Sequence, residues 1–139
     1  MNVTAKWVDG ICFLRHTGSG HSVVMDGGPA VGGQNRGPRP MELLLLGMAG
    51  CASIDVVNIA QKQRQNIVDC LAQVQAERAE TDPKVFTRIH IHFQVKGRGL
   101  KEEAIAKAVQ LSAEKYCSAS IMLGKTAALS HSFAIEELA

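Results

Sequence analysis

Met41 to Ala60, MELLLLGMAGCASIDVVNIA, constrains the fold of this chain more than any other stretch. It begins after Pro40 with four consecutive leucines, and Leu43 to Leu46 point in every direction around a helix. A helix that is apolar all round is a buried one. The uncharged run between Glu42 and Asp55 falls short of the roughly 20 apolar residues a bilayer needs. The stretch therefore reads as a central core helix, with no membrane role. Cys51 stands in the run among small residues, Gly47, Ala49, Gly50, Ala52 and Ser53. Small neighbours let other backbone approach the sulfur and leave space for a ligand. Two readings stay open here: a reactive thiol beside a pocket, or a packed core cysteine, since free cysteine is among the most buried residue types.

A chain of 139 residues reads as one domain, large enough to bury a sufficient core without metal or disulfide staples. The net charge is only +2, and Lys and Arg are scattered with no aromatic interleaving, which gives no footprint for nucleic acid. The opening MNVTAKWVDG has no apolar signal region, so a cytoplasmic location is expected. Cys12, Cys51, Cys70 and Cys117 form no CxxC pair and read as thiols in a reducing compartment.

In order, residues 1–25 predict an antiparallel meander: strands over Asn2–Val8, Ile11–His16 and His21–Met25, with Asp9-Gly10 as a hairpin signal. Cys12 is read there as packing. Residues 26–40, DGGPAVGGQNRGPRP, are a Gly/Pro-rich loop without GxGxxG or Walker spacing. Its plain reading is a mobile connection; Arg36 and Arg39 could lend positive charge to the next helix. The central helix spans 41–65. Gly47 and Gly50 weaken it by up to about 1 kcal/mol each against alanine, a cost that suggests close packing there. Residues 67–96 predict a hairpin. Ala72, Val74 and Ala76 share a dry face with Cys70. Val85, Ile89, Ile91, Phe93 and Val95 form the dry face of the return strand, turned at Asp82-Pro83. His90 and His92 lie on its polar face with no acidic or cysteine partner nearby, so no metal is expected. Residues 100–123 form the second helix region, with Ile105, Ala108, Leu111 or Ser112, and Tyr116 on the inner face. Residues 126–137 are the last strand, with His131 read as structural. The order βββ-α-ββ-α-β makes an α+β domain of antiparallel sheets around two core helices. Two helices cover an all-apolar helix poorly, which argues for a dimer.

Three stretches resemble the OsmC/Ohr family: PMELLLLGMAGCASIDVV (Pro40 to Val57), RIHIHF (Arg88 to Phe93) and LSAEKYCS (Leu111 to Ser118). The resemblance covers essentially the whole chain. It implies an α+β, intertwined homodimer with sites at the subunit interface, and a thiol peroxidase acting on small organic hydroperoxides. Cys51 matches the peroxidatic cysteine and Cys117 the resolving one. An external dithiol would complete the cycle, and neither metal nor organic cofactor is implied. Free cysteine is only a few per cent thiolate at neutral pH, so full ionisation gains at most about thirtyfold. The family therefore adds an arginine near the cysteine and a glutamate opening the same helix. Arg15, in the meander, is the candidate arginine, with Arg36 or Arg39 as substitutes. Counting back from Cys51, the family glutamate falls on Met41. Glu42 stands one residue on, turned by about 100°. Asp55, four residues after Cys51, shares its helix face and opposes ionisation of the thiol unless a cation neutralises it.

Two other readings compete with the peroxidase. One is a binding module holding a small apolar ligand in the same subunit-interface pocket, lined by Leu43, Met48, Ile54 and Met122, with the cysteines packing or sensing redox state slowly. The other is a plain structural protein with inert thiols too far apart to bridge.

Overall fold

The computed structural model describes residues 1–139, which divide into two compact units, Met1–Leu46 and Gly47–Ala139. In the first, Asp9-Gly10 turns strand β1 (Val3–Asp9) into β2 (Cys12–Thr17), and β3 (Ser22–Met25) pairs antiparallel on the far side of β2. Gly10 takes φ +49, the left-handed region where glycine costs least, and its carbonyl accepts the Trp7 indole N–H at 2.8 Å. No face of β1 is buried: every residue of it is exposed in this chain, Trp7 and Val3 included.

The Gly/Pro-rich loop is ordered by a buried carboxylate. Asp26 accepts the backbone N–H of Gly27 at 2.8 Å and those of Gln34 and Arg36 at 3.1 Å. Burial alone would raise the Asp26 pKa, but the donors at Arg36, Gln34 and Gly27 override it and hold the group below its ordinary value. Arg36 also pairs with Asp9 at 2.6 Å. A Cβ at Gly33 would run into Gly27 O, and one at Gly37 into Val24 O. The glycines are there for close approach of backbone, and the loop is not the unstructured connection its composition suggested.

Helix α1 (Pro40–Lys62) runs from the first unit into the second. Pro40 suits the first helical position, where no N–H is needed. Only Met48, Ala52, Val56 and Ala60 are buried, a single stripe at intervals of four. Leu44, Leu46 and Ile54 are exposed, so the expected burial on all sides is not met within one chain. By length and composition α1 is apolar enough to cross a bilayer, contrary to the expectation from its uncharged run. Its buried stripe instead joins a protein core.

The second unit pairs β4 (Asn66–Arg78) with β5 (Phe86–Arg98) antiparallel, and β5 with β6 (Ala128–Glu137) in parallel. The parallel pair corrects the expectation of antiparallel sheets: β6 is reached by a helical crossover, the connection parallel strands require. Phe86, Ile89, Ile91, Phe93 and Val95 are buried from β5. Phe86 takes the place expected of Val85, because a bulge opposite Glu77 and Arg78 resets the register there. Of these, Ile91, Phe93 and Val95 meet Ala52, Val56 and Ala60 of α1 and Ile105, Ala108 and Val109 of the second helix in one core. Each large apolar side chain buried there contributes about 1.5–3 kcal/mol.

The second helix region is interrupted at Cys117. Helix α2 (Glu102–Leu111) widens into a π-turn (Ser112–Tyr116), and after Cys117 helix α3 (Ser118–Leu123) begins. The extra residue in the π-turn rotates the succeeding side chains off the inner stripe. Ile105, Ala108 and Ser112 are buried as the stripe predicts, whereas Tyr116 is half exposed.

Candidate functional site

Cys51 reaches the site from the middle of α1, and Asp55 lies one turn further along the same face. Cys117 arrives from the opposite side, at the break between the π-turn and α3. Its N–H donates to Ser112 O at 2.9 Å, a five-residue span that closes the π-turn. Its φ and ψ of −73° and 96° are extended, so the chain leaves the helix there and the side chain turns toward α1. The Cys51 sulfur, an Asp55 carboxylate oxygen and the Cys117 sulfur all lie within 4.8 Å of one another. Both cysteines are free thiols; Cys51 is partly exposed and Cys117 wholly buried.

Hydrogen bonds fix this approach. Ser112 Oγ donates to Ala52 O at 3.2 Å, which ties the π-turn to α1 beside Cys51. The Cys117 thiol points at Met48 O, 3.9 Å away. In return the Cys117 sulfur accepts from the Ser120 hydroxyl at 3.1 Å and the Ser120 N–H at 3.4 Å, so it caps α3. Burial pushes the Cys117 thiol above its ordinary pKa; the Ser120 hydroxyl pulls it down, and the Cys51 sulfur adds to the rise. One Asp55 oxygen, Oδ2, is buried with no hydrogen-bond partner.

Glu42, Arg39 and Arg15 make their polar contacts within the first unit. Glu42 Oε2 accepts the Arg39 backbone N–H at 2.8 Å. This is the reach-back half of a capping box at the start of α1. The Arg39 guanidinium bonds Asn35 Oδ1, and Gly37 O at 3.4 Å. Arg15 stands 5.1 Å over the Phe13 ring, and its Nε has no hydrogen-bond partner. Of the other cysteines, Cys12 is buried in β2, and the partly exposed Cys70 thiol on β4 is pushed up by burial and by Asp69.

Of the residues expected to line an interface pocket, Ile54 and Met122 are exposed in the single chain and Met48 is buried. A cavity of about 330 Å³ opens elsewhere in the second unit, bounded by Ala52, Phe93, Val109, Ser112, Ser120 and His131. Gly47 and Gly50 likewise have open space, not close packing, where a Cβ would point. Ser112 and Ser120 were not anticipated as site residues. The signal for Ser120 was its place three residues after Cys117, the spacing of a residue that caps a helix and the N–H it receives.

Two free thiols brought together from separate helices over one sheet define an α+β protein with a two-cysteine centre. The chain belongs to the OsmC-like protein family, whose model matches residues 33–132. Protein YhfA of Escherichia coli (strain K12) is 47% identical over 135 residues, covering 97% of this chain and 98% of the relative. The solved structure of a hypothetical protein from Aquifex aeolicus VF5 has a TM-score of 0.87 at 30% identity, covering 99% of this chain and 97% of that one. An organic hydroperoxide resistance protein OsmC from Legionella pneumophila has a TM-score of 0.70 over 96% of this chain and 97% of its own; at 18% identity that likeness shows the fold alone.

Proposed function

We propose that the protein is a two-cysteine thiol peroxidase that reduces small organic hydroperoxides. The observation that carries the reading is the meeting of the Cys51 and Cys117 sulfurs within 4.8 Å from two different helices. The difference in burial supports the division of roles: the partly exposed Cys51 attacks and the buried Cys117 resolves. The Cys51 thiolate displaces alkoxide from the O–O bond, leaving a sulfenic acid, and the alkoxide takes a proton to become the alcohol. The Cys117 thiol then condenses with the sulfenic acid, releasing water and forming a disulfide. An external dithiol reduces that bridge and is itself oxidised. Closing the sulfurs to ~2.05 Å moves Cys117 at its hinge between two helical segments.

Of the candidate cations, Arg15 is the one left free to assist a thiolate. Its guanidinium keeps an unpaired donor, whereas Arg39 is engaged with Asn35 and Gly37, and Glu42 with the helix start. A second copy of the chain would cover Leu46, Gly47, Gly50 and Ile54, which are exposed along α1. We place the working enzyme as a homodimer in the reducing cytoplasm.

The test is thiol counting and peptide mapping after one equivalent of cumene hydroperoxide, with hydrogen peroxide as comparison. Loss of two thiols and recovery of a Cys51–Cys117 peptide are expected. A Cys51→Ser protein that consumed the peroxide as fast as wild type would overturn the assignment.

A further inference from the structure

We propose that Cys51, Asp55 and Cys117 together bind a thiophilic divalent cation, with Zn²⁺ as the ion their chemistry fits. Three donor atoms lie within 4.8 Å of one another. Ligands on one tetrahedral zinc, at about 2.3 Å for sulfur and 2.0–2.2 Å for oxygen, stand roughly 3.3–3.8 Å apart, from those bond lengths. A contraction of about 1 Å brings this set onto one ion. Cys51 and Asp55 are an i, i+4 pair on α1, the helical spacing at which two side chains chelate a single metal. Cys117 closes the set from the π-turn.

An independent observation points the same way. Asp55 Oδ2 is buried and makes no hydrogen bond, and a buried carboxylate oxygen without a partner calls for a water or an ion. The Ser120 N–H and hydroxyl already donate to the Cys117 sulfur. They are the outer donors that spread charge away from a metal-bound thiolate. Two sulfurs select Zn²⁺ or Cu⁺ over Mg²⁺ and Ca²⁺, and the carboxylate favours Zn²⁺ over Cu⁺. Three protein ligands leave the fourth position for water or an incoming anion. The thiols release their protons as the metal enters. While bound they hold the metal through the lone pairs a disulfide would need, so metal and bridge exclude each other.

The experiment adds Co²⁺ to the reduced, full-length protein and follows thiolate-to-cobalt charge transfer and the visible bands of tetrahedral cobalt. Zn²⁺ is then added to displace it. One ion per chain is expected, with charge transfer from two thiolates. Cys117→Ser should cut that band to about half. Asp55→Asn, which keeps the shape of the side chain, should weaken binding by more than about tenfold. Cys70→Ser should change nothing. The readout needs no peroxide turnover, so it stands or falls apart from the peroxidase reading. An octahedral cobalt spectrum would overturn the proposal. So would undiminished affinity in Asp55→Asn, which would make Asp55 only a proton acceptor for the thiols, or equal loss in Cys70→Ser.

Discussion

Replacing Ser120 by alanine tests the proposed resolving role of Cys117 directly. The hydroxyl donates to the Cys117 sulfur at 3.1 Å, and Ser120 is 3% exposed, so water does not take its place freely. A hydrogen bond to a charged group is worth about 1.5–3 kcal/mol. Losing it cuts the Cys117 thiolate population by roughly ten- to hundredfold at a given pH. A thiolate that is harder to form is also a better nucleophile, which returns about 40–50% of the effect on a logarithmic scale. The net expectation is disulfide formation slowed by roughly three- to fifteenfold, with the first oxidation of Cys51 unchanged. The assay is rapid quench after one equivalent of cumene hydroperoxide, with dimedone trapping of the sulfenic acid and mass spectrometry of the bridge. Trapped Cys51 sulfenic acid should accumulate in Ser120→Ala and not in wild type. A folded variant that forms the bridge at the wild-type rate would refute the reasoning, as would equal slowing of both steps.

Glu42→Ala removes the acceptor for the Arg39 N–H and a charge that suits the positive end of α1. It should cost about 1 kcal/mol in urea unfolding, and Glu42→Gln should recover part of it. Phe93→Ala empties a site 2% exposed in the core and should cost about 3–5 kcal/mol by the same measurement. Asp26 is held below its ordinary value of 3.8 by three backbone donors. As pH falls the unfolded chain takes up that proton first. The stability Asp26 confers is therefore complete above 3.8 and declines from there toward its lowered folded value. Acid unfolding followed by circular dichroism should be flatter over that range in Asp26→Asn. Cys117 behaves oppositely. Its raised pKa leaves the folded thiol protonated where the unfolded one ionises, so stability falls as pH rises above 9.0, and Cys117→Ala removes that slope.

Alternation and turn chemistry made much of the fold legible. Asp9-Gly10 marked the first hairpin, and Ile89, Ile91, Phe93 and Val95 marked the buried face of β5 because one strand presents side chains with period two. The features that escaped depend on one residue out of register. The bulge opposite Glu77 and Arg78 exchanges Val85 for Phe86, and the π-turn swings Tyr116 off the helix stripe. Periodicity carries no advance notice of an inserted residue. The direction of β6 was equally hidden, since strand direction is set by how a crossover packs and not by the strand's own residues. The leucine run misled in a different way. It reports that α1 is apolar on every side, while the single chain buries only the Met48–Ala60 stripe.

For the site, the two thiols were legible only through resemblance, because nothing in the spacing of Cys51 and Cys117 tells that a π-turn folds one back onto the other. The i, i+4 spacing of Asp55 from Cys51 marks it in the sequence as a charge opposing ionisation of the thiol, and the folded chain gives it a further part. A carboxylate with a buried, unpartnered oxygen beside two thiols is costly to maintain unless something cationic or protic meets it. A proton from Cys117 on its way to the sulfenic acid would meet the need transiently, and a bound cation would meet it permanently. The two roles separate experimentally. The first requires Asp55 only during turnover and predicts that Asp55→Asn slows bridge formation while leaving metal binding untouched. The second predicts the reverse order of sensitivity in the resting protein. Expecting no metal rested on His90 and His92, whose imidazoles instead bond Ser130 and Ser132 at 2.7–2.9 Å. The ligand set to weigh was the one whose three members come from two helices, and only the folded chain brings them together.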